Sequence, residues 1–129
     1  MNKLLVEAEL QNIGLIEAFV YASSDIPNNK RAGALIITTE IFENIVEHAI
    51  LEEGAKIRLA ASKIFFPRLC FTYRSKNFDN LLRALKNTKP HFDPKTKRYR
   101  GFGLSMTKNI ARKVYYRQCS DYSVISIYL

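Results

Sequence analysis

A chain of 129 residues has room for one domain and little else, and its 47% hydrophobic and 25% charged content excludes a disordered polyelectrolyte. Lys and Arg number 20 against 12 Asp and Glu, and the resulting net charge of +8 favours an anionic partner. The longest apolar runs, Ala34–Ile37 and Ile64–Pro67, fall far short of the roughly 20 residues a membrane span needs, and Glu7 interrupts Met1–Val6 before a signal-like segment develops. The expectation is a cytoplasmic protein without a membrane partner.

In chain order, Lys3–Leu10 alternates weakly and reads as an edge strand. Ile13–Ala22 carries the helical stripe Ile13, Ile16, Ala18, Phe19 and Val20, which stops at the polar cluster Ser23–Asn29 around Pro27. Lys30–Leu51 is the longest helical pattern, with Leu35, Ile41, Phe42, Ile45, Val46 and Ala49 on one side. Glu40, Asn44 and His48 recur every four residues on another side, with Glu43 and Glu47 beside them. Gly54 is expected to close this helix. Lys56–Ser62 and Pro67–Tyr73 read as an antiparallel strand pair with a tight connection.

The pattern then changes. Phe78–Leu85 suits a short helix ended by Asn87-Thr88-Lys89-Pro90, and Pro90–Arg100 reads as a basic loop with Lys95, Lys97, Arg98 and Arg100. Gly101-Phe102-Gly103 would open another helix with Leu104, Met106, Ile110 and Val114 inward. Two strands, Val114–Cys119 and Tyr122–Leu129, end the chain around Ser120-Asp121. The fold class is therefore α+β: a two-layer sandwich with helices on one face of a mixed, mostly antiparallel sheet, within a single domain spanning 1–129. Cys70 and Cys119, both in apolar surroundings, are expected as buried reduced thiols.

Two features can carry chemistry. On the helix, a carboxylate, a carboxamide and an imidazole stand one turn apart at Glu40, Asn44 and His48. Asn44 can ligate a hydrated divalent cation while Glu40 acts as a general base; the same row also suits an ordinary solvated helix face. Further on, Gly101 and Gly103 precede a helix start, where backbone N–H groups and the helix dipole favour an anion, with the basic residues before them adding charge.

Together, Glu40–Ala49 and Gly101–Met106 resemble the N box and the Gly-x-Gly box of the GHKL superfamily of ATP-binding domains, and the chain is most similar to its bacterial anti-sigma factor and serine-protein kinase branch. The resemblance implies a histidine kinase-like ATPase fold, with ATP and Mg²⁺ as cofactors. It implies Asn44 as the Mg²⁺ ligand and Glu40 as the catalytic base. Gly101, Gly103 and the amide of Leu104 would lie against the phosphates and His48 beside the nucleotide, while Arg100 of the basic loop is expected to add charge to the same place. It further implies a transcription regulator whose partners are a sigma factor, an antagonist protein phosphorylated on serine, and in some cases a second copy.

One motif departs. Where the family has Asp-x-Gly for the adenine amino group, this sequence has Tyr73 and Ser75. Losing that hydrogen bond weakens binding about ten- to hundredfold. The Tyr73 ring would either fill the base site or lie against the base. The alternative function is a protein-interaction module of the same fold without nucleotide chemistry. Nucleic acid is not expected, because no helix-turn-helix, zinc-finger or RNP pattern accompanies the basic tract.

Overall fold

The alternation of apolar and polar residues in five of the chain's segments builds one antiparallel sheet whose apolar side is roofed by two helices. The structure, a computed structural model, describes residues 2–75, 91–94, 98–100 and 110–129. Its elements are β1 (Asn2–Glu7), a short 3₁₀ turn (Leu10–Asn12), α1 (Ile13–Ala22), α2 (Asn28–His48), β2 (Lys56–Lys63), β3 (Pro67–Arg74), β4 (His91–Asp93), β5 (Arg98–Arg100), β6 (Lys113–Cys119) and β7 (Tyr122–Tyr128). The five-stranded sheet runs β1-β2-β3-β7-β6, and β4-β5 form a separate hairpin. All of these pairings are antiparallel. The expected α+β class is the class observed.

Register explains the core. A single row of facing residues, Leu4, Leu59, Phe71, Ile125 and Tyr116, crosses all five strands. A parallel row holds Ala61, Leu69, Ile127 and Val114. Because side chains alternate faces along a strand, these rows all point to the helical layer. There they join Ile16 and Val20 of α1 and Ile37, Ile41, Phe42 and Ile45 of α2. Burial of one such Phe or Leu side chain contributes about 1.5–3 kcal/mol.

The link between α1 and α2 is tied by Arg31, whose Nη2 donates to the carbonyls of Ser23 (3.3 Å) and Ile26 (3.1 Å). Its guanidinium also lies over the Tyr21 ring, 5.6 Å from the centroid. Farther along α2, a Cβ at Gly33 would come within 2.8 Å of Ile110 Cγ2. Only a residue without a side chain lets the helix approach the segment leading into β6 this closely.

Several expectations need correction. The long helix ends at His48, because Ala49 turns extended (φ −74°, ψ 140°). Gly54 does not cap it; at φ +75° it serves the later turn in which Ala55 N donates to Glu52 O (3.0 Å). Part of Pro90–Arg100 is the β4-β5 hairpin rather than loop. Val114 lies in β6, not on a helix. Cys119 is exposed and Cys70 only partly buried, though both are free thiols; at the sheet edge, Cys119 ends a strand whose outer side meets water. The expected helix at Phe78–Leu85, and the helix start at Gly101 to Leu104, lie outside the described residues. No helix among the described residues is long and apolar enough to cross a membrane.

The Gly33 contact makes a two-step prediction. Gly33→Ala gains about 1 kcal/mol in helix propensity but meets an overpacking cost of about 1–3 kcal/mol, so urea unfolding should show a net loss near 1 kcal/mol. In an Ile110→Ala background the clash partner is gone, and the same substitution should become stabilising.

Candidate functional site

Helix α2 is buried along the whole of Ile37–Ile45. Nine consecutive residues cover every direction around a helix of 3.6 residues per turn, so this stretch has no solvated face. Its polar members are enclosed: Glu40 is 9% exposed, Glu43 3% and Asn44 2%. The solvated-face alternative for the Glu40 row therefore fails at its first two members. Burial of carboxylates is costly unless polar partners compensate, and Asn44 supplies one such partner.

Asn44 Nδ2 donates to the backbone carbonyl of Glu40 at 2.8 Å and to Glu40 Oε1 at 3.1 Å. Both of those atoms only accept, so the nitrogen end of the carboxamide must face Glu40. The oxygen, the one atom of the group able to ligate a cation, is not consumed by Glu40. The i, i+4 spacing predicted from sequence thus becomes a physical pair on one turn of helix.

His48 does not join this pair. It is the last residue of α2, its side chain is 40% exposed, and its Nε2 lies 3.8 Å from Glu47 Oε2. Arg100 ends β5 opposite His91 in the small hairpin. Gly101, Gly103 and Leu104 lie outside the described residues. Among the described residues no three His, Cys, Asp or Glu side chains gather as a metal cluster. The Asn44 carboxamide oxygen is a hard donor of the kind Mg²⁺ accepts.

Tyr73 belongs to the core. It is 1% exposed, on the sheet face that meets the helices. Ser123 stands opposite it in register, but the Ser123 hydroxyl lies within hydrogen-bond reach of Gln118 Oε1 (2.9 Å) and Ser75 O (3.3 Å). The Tyr73 hydroxyl has no hydrogen-bond partner among the described residues. Burial accordingly holds its phenol well above the ordinary value of 10.0, with Ser123 opposing weakly. This side chain does not reproduce a carboxylate that binds a base.

Ser75 is also buried, at 4%. Its N–H donates to Asp121 O (2.9 Å), and its carbonyl accepts from Gln118 Nε2 (2.9 Å). These bonds fasten the end of β3 to the β6-β7 turn. Beside them opens a cleft of about 570 Å³, lined among the described residues by Ile50, Leu51, Glu52, Ala55, Lys56, Arg74, Ser75 and Asp121. Its size suits a small ligand. It reaches Ser75 but neither Glu40 nor Asn44. Glu43 is the buried group that sequence pattern alone undervalued. Its only signal was a place one turn from Glu40.

No protein-family model matches the sequence, and no curated protein matches it either. A solved structure does: the RsbU and RsbW domains of Rv1364c from Mycobacterium tuberculosis, at 13% sequence identity and a TM-score of 0.60. The fold is shared. The match takes in 99% of this chain and 32% of that one, so this chain spans about a third of its length. At such low identity the likeness concerns architecture alone, and the site must be judged from its own residues.

Tyr73 gives the test of this geometry. A phenol held neutral in the fold stabilises it fully below the unfolded value near pH 10. That stability is lost as pH rises above 10, by about 1.4 kcal/mol per pH unit per group. Tyr73→Phe should remove this component of alkaline unfolding. At pH 7 it should leave the protein as stable or slightly more so, because a buried hydroxyl without a partner is deleted. Urea unfolding at pH 7 and pH 11 checks both halves.

Proposed function

We propose that this chain is a nucleotide-responsive regulatory domain of the anti-sigma factor type, which binds Mg·ATP and, in that state, holds or releases a protein partner. The observation that supports it most is the buried Glu40–Asn44 pair, in which Asn44 is oriented with its nitrogen on Glu40 and its oxygen not engaged by Glu40. The overall architecture, shared with a chain that contains an RsbW domain, is compatible with this reading. So is the net charge of +8, which suits a polyanionic ligand.

The residues fit one half of the nucleotide better than the other. Asn44 would hold Mg²⁺, which neutralises phosphate charge when bound, and Arg100, Gly101, Gly103 and Leu104 would face the phosphates. Glu40 would accept a proton at its carboxylate from an attacking serine hydroxyl of an antagonist protein, which makes serine phosphorylation the enzymatic form of the proposal. Tyr73 does not fit the base as a hydrogen-bonding partner, so base selectivity should be poor. A sigma factor or its antagonist would be the partner, with a second copy of the chain as a further candidate.

The core position of Tyr73 specifically favours a second reading, in which the same fold acts as an interaction module without nucleotide chemistry. Titration calorimetry separates the two. Under the first reading Mg·ATP gives heat that Asn44→Ala reduces at least about tenfold in affinity, since a hard cation loses its protein oxygen, and Mg·GTP binds comparably. No heat up to millimolar nucleotide would leave the interaction module. Where a partner serine is phosphorylated, Glu40→Ala should slow transfer by about a hundredfold or more, measured by single-turnover phosphate transfer.

A further inference from the structure

The three residues that join β2 to β3 are Ile64, Phe65 and Phe66, exposed to 87%, 87% and 45%. Among the described residues no other large apolar side chains stand exposed next to one another in sequence; Leu5, Leu15, Tyr21, Ile36 and Ile50 occur singly. Scattered apolar residues are normal on a protein surface, whereas a contiguous run marks an interaction site. A hairpin connection also favours Gly, Asn, Asp and Ser, so three large apolar residues oppose the turn's own preference.

The surroundings of this tip are basic. Lys63 ends β2 and is exposed, and Lys113 begins β6 and is exposed. The Arg112 guanidinium lies over the Phe66 ring, 4.3 Å from its centroid. Two backbone bonds hold these segments at one end of the sheet: Arg112 N to Tyr128 O (2.7 Å) and Leu129 N to Pro67 O (2.9 Å). Neither 60–75 nor 110–120 contains an Asp or Glu. Acidic residues gather at the opposite end, where Glu7 pairs in register with Lys56 and where Glu52, Glu53 and Asp121 close turns.

We infer that the β2-β3 tip docks on an anionic lipid surface, with Ile64 and Phe65 entering the boundary between headgroups and acyl chains and Lys63, Arg112 and Lys113 meeting the phosphates. Apolar insertion combined with basic attraction is the arrangement by which a protein lies on a membrane without spanning it. A protein partner fits less well, because a standard interface uses about 20–30 residues a side and the apolar tip offers three. Nucleic acid fits less well too. The neighbouring aromatic faces are already covered by the chain's own cations, Lys113 over Tyr115 at 5.0 Å and Arg68 over Tyr128 at 5.7 Å. The inference goes beyond the proposed nucleotide function and does not depend on it.

The experiment is co-sedimentation of the full chain, without nucleotide, with phosphatidylcholine vesicles and with vesicles that also contain phosphatidylglycerol. The expected result is at least about tenfold stronger binding to the anionic vesicles, weakened by salt. Ile64→Ser combined with Phe65→Ser should reduce that binding about tenfold. Because both side chains are exposed, the unfolding temperature should stay unchanged. Lys63→Glu with Lys113→Glu should also reduce binding. Failure of the full chain to bind anionic vesicles overturns the inference and leaves the tip to a pocket on a protein partner. Equal binding by the double-serine variant and the wild type also overturns it, since attraction would then come from overall charge.

Discussion

Everything distinctive about this molecule depends on a helix that has nowhere to turn a polar side chain. Between Ile37 and Ile45, α2 is enclosed on all sides, yet it carries two carboxylates and a carboxamide in that interval. Such groups are tolerated when hydrogen-bond partners compensate their burial. The bond from Asn44 to Glu40 meets part of the requirement within one helical turn. It also fixes the direction of the carboxamide, with its nitrogen on Glu40. A solvent-facing helix with the same residues would hold neither group still.

The sheet plays the opposite part, providing a rigid and largely apolar floor. The row Leu4–Leu59–Phe71–Ile125–Tyr116 shows how five strands from distant parts of the chain present one surface to the helices. Tyr73 belongs to this floor, and its phenol is shut in without a hydrogen-bond partner among the described residues. Polar contacts resume only at the strand end, where Ser75, Gln118, Ser120, Asp121 and Ser123 bind one another across β3, β6 and β7.

Much of the fold was readable in advance. Helix α1 matches the expected Ile13–Ala22, and β2, β3, β6 and β7 fall within a residue or so of their expected bounds, because two-residue and 3.6-residue periodicities are local properties. The end of α2 was misjudged for a physical reason. Apolar spacing continues to Leu51, but Ala49 leaves the helix, and Gly54, a usual stop signal, works in a separate turn. The burial of Cys119 was misjudged because an apolar neighbourhood in sequence says nothing about whether a strand lies at the edge of a sheet.

The sequence by itself determined the elements, the α+β class, the one-turn spacing of Glu40 and Asn44, and the place of Tyr73 near the end of a strand. Those follow from residue type and local period. Only the tertiary structure decided that Glu40, Glu43 and Asn44 are enclosed while His48 is not, that Gly33 must yield room to Ile110, and that Ile64 and Phe65 stand in water beside a basic collar. Burial is set by what packs against an element from elsewhere in the chain, and no local pattern contains that information.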